Sequence, residues 1–196
     1  MSKPPEQTRA RILDAARRIF ANCGYAGASI QDIVQQARVT KPALYYYFSS
    51  KAGLYGELVE YAHDERLRLM KEAVSQHDDL QGQLAAVLDR LLLFALEHKD
   101  LMRIGFATAF AAPGEVPDKK RCFEKGRRNF EFVHSLIKQG LASGEISRRF
   151  SSEELTMAIY GQYLLHAMVQ VMDPKRTLKR PKAHQIVKLF MEGAAK

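Results

Sequence analysis

Apolar residues recur along most of this chain at the three-to-four-residue spacing of an α-helix, and the alternation typical of strands is almost absent. In the first segment, 8–21, the residues Ile12, Ile19 and Phe20 fall on one helix face. A break at 23–28, which carries two glycines, ends that segment. The pattern therefore predicts an all-α protein whose first helix covers 8–21.

Two short helices are predicted next, at about 29–37 and 41–48, with a tight turn between them. Ser29 and Thr40 suit the N-cap positions, because each hydroxyl can accept a hydrogen bond from a backbone N–H of the first turn. Pro42 fits a first turn, where no intrahelical N–H bond is needed. Two short helices joined in this way, the second of them basic and aromatic, form a helix-turn-helix pattern.

The second helix of this pattern contains an aromatic run that helical phase divides into two parts. At about 100° per residue, Leu44 and Phe48 lie together and face the other helices, with Tyr47 flanking them. Tyr45 and Tyr46 point outward. An outward tyrosine can donate a hydrogen bond to a phosphate and touch a sugar or a thymine methyl group. The alternative is that all of these rings belong to a tyrosine-rich core.

The remaining periodicity predicts a long helix from about residue 51 to 75 and then a helical bundle. The bundle helices are predicted at 82–98, 101–111, 118–142, 152–172 and 181–193. One 18-residue stretch, 155–172, lacks Lys, Arg, Asp and Glu, which is the threshold length for a membrane span. Gln162, His166 and Gln170 recur on it at every fourth position, so we interpret it as a buried or interface helix and expect no membrane association.

The net charge of the chain indicates a candidate binding partner. The formal net charge is +8, and residues 1–51 carry +5 of it, from eight Lys or Arg and three Asp or Glu. A basic N-terminal segment favours nucleic acid as a partner, although solubility alone would also explain a basic protein. The two cysteines, Cys23 and Cys122, lie 99 positions apart without a pairing motif, which indicates a reducing, cytoplasmic environment.

The sequence gives little support for other classes of function. It contains no G-x-G-x-x-G, P-loop, G-x-S-x-G or H-E-x-x-H motif, and its six histidines lack metal-ligand spacing. We therefore expect no enzyme activity, no metal site and no cofactor. A helical interaction protein without a DNA role is a further alternative, but it would leave the basic segment and the outward tyrosines unexplained.

At this point the segment 8–59 resembles the DNA-binding region of TetR-family (tetracycline-repressor-like) transcriptional regulators. The shared features are Ile-Leu-x-Ala-Ala-x-x-Ile-Phe at 12–20, Gly-Tyr at 24–25, Ser-x-x-x-Ile-Val at 29–34, Leu-Tyr-x-x-Phe at 44–48 and Lys51. The resemblance implies a three-helix helix-turn-helix DNA-binding domain at 1–51 and a helical effector-binding and dimerisation domain at 52–196. It also implies a ligand-responsive repressor that binds a pseudo-palindromic operator as a dimer and is released by a small-molecule effector.

The resemblance and the helical phase together nominate residues for each role. The candidate DNA contacts are Ser29, Arg38, Thr40, Lys41, Ala43, Tyr45, Tyr46, Tyr47 and Lys51. The candidate effector contacts, which mix aromatic and polar groups in the central helices, are Arg103, Phe106, Phe130, His134, Tyr163 and His166. Many family members have glycine where Arg38 stands, so a positive φ there would cost about 1 kcal/mol.

The expected homodimer interface uses the helices at 152–172 and 181–193. The last helix carries an apolar stripe at Ala183, Ile186 and Val187, which Phe190 continues. The alternative is that these helices bury their apolar faces within their own domain. The choice between repressor and activator also stays open at this point.

Overall fold

The structure, a computed structural model, describes residues 5–173 and 183–194. Within those residues every regular element is an α-helix, which confirms the predicted all-α class. The helices are α1 (Pro5–Gly27), α2 (Ile30–Ala37), α3 (Lys41–Tyr47), α4 (Lys51–Val74), α5 (Leu80–Glu97), α6 (Lys99–Phe110), α7 (Lys119–Ser143), α8 (Ser152–Met172) and α9 (Ala183–Ala194).

The first helix is longer than the predicted 8–21, and the prediction is wrong at both of its ends. Residues ahead of 8 are polar and give no apolar face, so the sequence pattern cannot show that the helix already begins at Pro5. At the other end, Gly24 adopts φ 71° and ψ −179°. This conformation kinks α1, and helical turns resume as far as Gly27 instead of ending. The start of α9 predicted at 181 lies outside the described residues.

By spatial proximity the chain forms two compact units. Unit 1 contains the described residues up to Ala62 together with Asp100–Phe123, and unit 2 contains His63–Lys99 and the described residues from Glu124 onward. Helix α4 therefore contributes its first half to unit 1 and its second half to unit 2. The domain boundary expected after residue 51 stays a prediction.

Unit 1 has its own apolar core, formed by α1 to α4. Ile12, Ile33, Leu44 and Leu54 are each completely excluded from solvent. Burial of such a side chain contributes about 1.5–3 kcal/mol relative to its exposed state. These residues come from four different helices, so their contacts fix α2 and α3 against α1 and α4.

An aromatic cluster completes this core. The ring centre of Tyr55 lies 5.0 Å from that of Phe20 and 5.1 Å from that of Tyr25, both in edge-to-face geometry. The Tyr55 hydroxyl lies 2.8 Å from the hydroxyl of Thr108. Burial raises the pKa of Tyr55, so its hydrogen-bonded phenol stays neutral.

Unit 2 contains α5, α8, α9, most of α7 and the second half of α4. Helix α9 packs against α5 and α8, and its residues Ala183 and Val187 are buried while Ile186 and Phe190 are half-buried. The apolar stripe predicted on the last helix therefore packs within its own unit, as the alternative interpretation expected. None of the described helices is long and apolar enough to cross a membrane.

Local signals at the helix ends match the sequence. Ser151 and Glu154 form the predicted capping box at the start of α8, and Gly144, with φ 80°, follows the end of α7. Near the end of α7, Gly140 packs against the side chain of Leu80 at the start of α5, and a Cβ added at Gly140 would overlap the end of that side chain. A larger residue at 140 would therefore require the Leu80 side chain to move.

Candidate DNA-binding surface and buried polar cluster

The helix-turn-helix is built by local capping. Ser29, the N-cap of α2, accepts a hydrogen bond from the Asp32 N–H at 3.1 Å. Thr40, the N-cap of α3, accepts one from the Ala43 N–H at 3.3 Å. Both predicted caps are confirmed. They place the ends of the two helices close together, separated by a turn of three residues.

The turn itself requires a left-handed residue. Arg38 adopts φ 53° and ψ 50°, and its N–H donates to the carbonyl oxygen of Gln35 at 3.1 Å. Arg38 therefore takes the left-handed conformation that glycine adopts most readily. A non-glycine residue there costs about 1–2 kcal/mol, while its exposed guanidinium adds a positive charge beside α3.

Helix α3 has one buried and one exposed face, as its phase predicts. Leu44 is fully buried and Phe48, at the C-cap, is 4% exposed, whereas Tyr45 is 50% and Tyr46 is 82% exposed. Tyr47 is half-buried, with its ring centre 5.0 Å from that of Tyr46. The tyrosine-rich core is therefore excluded for Tyr45 and Tyr46.

The exposed face also carries the polar groups of the helix start. Thr40 and Lys41 are exposed, and Ala43 is half-buried beside them. The Thr40 hydroxyl acts as an acceptor toward Ala43, which leaves its proton to donate elsewhere. Thr40, Lys41, Tyr45 and Tyr46 therefore present cationic and hydroxyl donors on the exposed face of α3. We name this set, with Arg38 beside it, the α3 surface.

Two of the predicted DNA contacts, Ser29 and Lys51, use their donors in hydrogen bonds within the protein. The Ser29 hydroxyl donates its proton to the Asp32 carboxylate at 2.6 Å. The Lys51 ammonium donates to the carbonyl oxygens of Tyr25 at 2.8 Å and Ala28 at 2.9 Å, and it lies 4.4 Å from the Tyr25 ring centre. Contact of either residue with DNA stays a prediction. In this conformation their donors serve hydrogen bonds within unit 1.

The six candidate effector residues are divided between the two units. Arg103 and Phe106 belong to unit 1, and the other four belong to unit 2. The His134 Nε2 lies 2.8 Å from the Ser152 hydroxyl, and the His166 Nδ1 lies 2.7 Å from a carbonyl oxygen of its own helix. Both histidines are half-buried and hydrogen-bonded within unit 2. Their role as effector contacts stays a prediction.

Phe130 and Tyr163 lie near a buried aromatic ring that the sequence analysis did not nominate. The ring centre of Tyr160 is 6.0 Å from that of Phe130 and 5.5 Å from that of Tyr163. Burial raises the pKa of Tyr160, so this ring stays neutral. Three aromatic rings from α7 and α8 therefore line one region of unit 2.

Beside Phe130 and Tyr160 lies a polar cluster formed by His63, Arg66, Asn129 and Tyr163, of which the sequence analysis nominated Tyr163 alone. All four are buried. The Arg66 guanidinium donates to the Tyr163 hydroxyl at 3.2 Å and lies 2.8 Å from Nδ1 of His63, and the Asn129 amide donates to the His63 carbonyl oxygen at 2.9 Å. We call these four residues the polar cluster. Helical periodicity cannot reveal it, because its members come from three separate helices.

Electrostatics in the polar cluster favour a neutral imidazole. Burial, and then the positive charge of Arg66, lower the pKa of His63 to about 3. Its Nδ1 can therefore accept a hydrogen bond from Arg66. The Oδ1 atom of Asn129 is also buried, and among the described residues it has no hydrogen-bond partner. A buried acceptor of this kind favours the binding of a donor from water or a small molecule.

In helix-turn-helix regulators, the second helix of the motif is exposed for DNA binding. This chain has such a helix, which is aromatic and basic, and a bundle of long helices follows it. Residues 12–58 match the family model described as bacterial regulatory proteins, tetR family. This segment therefore matches the DNA-binding region of that family, as the sequence predicts.

Individual relatives agree with this assignment. Over 105 residues the chain is 35% identical to the HTH-type transcriptional repressor SCO4008 of Streptomyces coelicolor, a match that covers 54% of this chain and 51% of the relative. Over 95 residues it is 32% identical to the HTH-type transcriptional activator FasR of Mycolicibacterium smegmatis, covering 48% of this chain and 43% of the relative. The chain spans about half the length of the curated relatives it matches.

A solved structure is similar over nearly the whole chain. The transcriptional regulator FadR from Bacillus subtilis, in complex with stearoyl-CoA, has a TM-score of 0.76 and 20% sequence identity. The similarity covers 94% of this chain and 98% of the other. At this level of identity the likeness shows the fold alone, including the helical region beyond residue 58.

Proposed function

We propose that this protein is a DNA-binding transcriptional regulator that acts as a ligand-responsive repressor in the cytoplasm. The observation that supports this most strongly is the α3 surface. Tyr45 and Tyr46 point away from the core on a helix that Leu44 and Phe48 fix in place. A helix so exposed fits the major groove, and α2 would brace it across the backbone. Named relatives include a repressor and an activator, and repression is proposed because the match to the repressor is slightly longer and slightly more identical.

In this proposal, Lys41 and Arg38 neutralise phosphates, while Thr40, Tyr45 and Tyr46 donate hydrogen bonds to phosphates or touch base edges. Ala43 and Tyr47 lie at the margin of the contact. The alternative, a helical interaction protein without a DNA role, does not explain why these side chains are exposed together. Enzyme activity is not part of the proposal, since the family consists of regulatory proteins.

Variants of the α3 surface test the proposal. Lys41→Ala should weaken binding to every duplex and reduce the slope of log K against log[salt] by about 1.8, because one phosphate contact is lost from each protomer of the dimer. Tyr46→Phe should lower the affinity by about 5- to 10-fold if its hydroxyl donates to a phosphate. Fluorescence anisotropy with labelled duplexes measures both effects. Unchanged affinity in both variants would contradict the assignment of this surface.

A homodimer through α8 and α9 forms a second part of the proposal. Helix α8 exposes Met157, Leu165 and Met172, which are spaced by eight and seven residues and so share a helix face, and α9 exposes Leu189. An exposed apolar face of this kind favours association with a second copy. Two recognition helices about 34 Å apart would then read a pseudo-palindrome. Sedimentation equilibrium should give twice the chain mass of 22.2 kDa, and a monomer mass would contradict this part.

The effector is proposed to bind in unit 2, near the polar cluster and the aromatic rings of Phe130 and Tyr160. The structural neighbour FadR from Bacillus subtilis is in complex with stearoyl-CoA, which supports a small-molecule ligand in this fold. Helix α4 carries His63 and Arg66 in its second half and contributes its first half to unit 1. Effector binding would shift α4 and reduce operator affinity, with a coupling free energy of about 1–3 kcal/mol. Independent binding of effector and DNA in a titration would refute this coupling.

A further inference from the structure

Helix α2 is held at both of its ends by cationic side chains from other helices. Arg11, which belongs to α1, binds the carbonyl oxygens where α2 ends. Lys51, the first residue of α4, binds carbonyl oxygens just before α2 begins. Both cations belong to the basic N-terminal segment that charge alone would assign to DNA.

At the C-terminal end of α2, Arg11 donates hydrogen bonds to two backbone carbonyl oxygens. Its Nε donates to the carbonyl oxygen of Ala37 at 3.1 Å, and its Nη2 donates to that of Arg38 at 2.7 Å. The last carbonyls of a helix have no intrahelical partner and carry the negative end of the helix dipole. A guanidinium is therefore well suited to this position, and its planar fork fixes the direction of both carbonyls.

At the N-terminal end, Lys51 ties down the chain that leads into α2. Its ammonium donates to the carbonyl oxygens of Tyr25 and Ala28, and it lies 4.4 Å from the centre of the Tyr25 ring. Ala28 directly precedes Ser29, the N-cap of α2. Lys51 therefore joins three parts of unit 1: the kinked end of α1, the start of α2 and the start of α4.

We propose that Arg11 and Lys51 are positioning residues of the recognition helix, which set its orientation through α2 and do not neutralise phosphates. Only three residues separate α2 from α3, and the left-handed Arg38, whose carbonyl oxygen Arg11 binds, is one of them. An error in the placement of α2 is consequently transmitted to the α3 surface. This inference rests on the proposed DNA-binding function.

The inference separates two groups of cations that sequence alone treats alike. Arg38 and Lys41 are exposed on the α3 surface, whereas Arg11 and Lys51 are half-buried and hydrogen-bonded to backbone carbonyls. A phosphate contact contributes to the binding of any duplex and to its salt dependence. A positioning residue affects the affinity for one particular DNA sequence, because contacts with base edges require correct placement of the recognition helix.

The experiment compares Arg11→Gln and Lys51→Gln with the matched exposed variant Lys41→Gln. The probes are a 30-base-pair duplex selected by the wild-type protein from a random-sequence library and an unselected duplex of the same length. We expect the two positioning variants to lose about tenfold in affinity for the selected duplex, which corresponds to the loss of one charge-assisted hydrogen bond. Their affinity for the unselected duplex and their salt slope should match wild type, whereas Lys41→Gln should lower the salt slope by about 1.8, which is about 0.9 for each protomer of the dimer.

Two results would overturn the inference. A salt slope reduced by about 1.8 in Arg11→Gln or Lys51→Gln would show a phosphate contact in each protomer. Unchanged affinity for the selected duplex, with only a lower Tm, would show a purely structural role. The conservative variants Arg11→Lys and Lys51→Arg keep the charge and should restore part of the affinity even if a glutamine variant does not fold. Failure of the wild type to bind either duplex would instead refute the proposed function on which the inference rests.

Discussion

Leu44→Ala should lower the free energy of unfolding of unit 1 by about 2–5 kcal/mol. Leu44 lies on α3, is completely buried, and is the only residue within α3 itself that the structure places in the core. Truncation removes the transfer free energy of its side chain and leaves a cavity among α1, α2 and α3. Because α3 has only seven residues, it has little intrinsic stability to keep it in place without this contact.

The matched control is Tyr46→Ala on the same helix. Tyr46 is 82% exposed, so its truncation should change stability by no more than about 0.5 kcal/mol while it weakens DNA binding. Urea denaturation followed by circular dichroism measures both variants. Equal destabilisation by the two substitutions would show that the division of α3 into a buried and an exposed face is wrong.

The second large effect concerns pH and His63. Burial and Arg66 lower the pKa of His63 to about 3 in the folded protein, below the ordinary value of 6.5. Between these values the unfolded chain binds a proton that the folded chain does not. The stability contributed by the neutral imidazole is therefore complete above pH 6.5 and falls by about 1.4 kcal/mol for each pH unit below it. From pH 6.5 to 4.5 we expect a loss of about 3 kcal/mol from this residue.

Other groups also weaken the fold in acid, since ion pairs with Lys125 and Arg128 lower the pKa of Asp64. The measurement is therefore a difference: the free energy of unfolding of wild type minus that of His63→Gln, from pH 7.5 to pH 4.5. This difference should fall steadily below pH 6.5, and the exposed His77→Gln is the control for exchanging a histidine. A difference that does not vary with pH would contradict a buried, neutral His63.

The features that the sequence predicts well are those set by near neighbours along the chain. The division of α3 into Leu44 and Phe48 inside and Tyr45 and Tyr46 outside follows from helical phase alone. The N-caps Ser29 and Thr40 and the capping box at 151–154 depend on contacts over three residues. Such contacts are visible in a sequence because the spacing that produces them is fixed by helix geometry.

Other features depend on residues that folding brings together from distant positions. From the sequence, Lys51 is predicted to be a surface cation. Only the structure shows that it binds the carbonyl oxygens of Tyr25 and Ala28, more than twenty positions away. The polar cluster joins His63 to Asn129 across 66 positions. Backbone carbonyls carry no sequence signature, so a side chain that binds them cannot be distinguished from one that faces water.

The apolar stripe of α9 illustrates the same limit for whole helix faces. Periodicity identifies Ala183 and Val187 as one face but does not say what covers that face. In the structure they pack within unit 2, and exposed residues elsewhere, such as Leu165 of α8 and Leu189 of α9, remain for a second copy. The proposed dimer therefore uses a different side of α9 from the one the sequence suggests.

The central claim is that the α3 surface binds duplex DNA through its phosphates and base edges. The most direct test is the dependence of duplex affinity on salt between 50 and 200 mM, measured on the wild-type chain by fluorescence anisotropy. A dimer that presents Arg38 and Lys41 on each α3 surface should give a slope of log K against log[salt] of about −3.6 or steeper, at about 0.9 for each phosphate neutralised. Absence of duplex binding, or binding that does not weaken with salt, would contradict the claim.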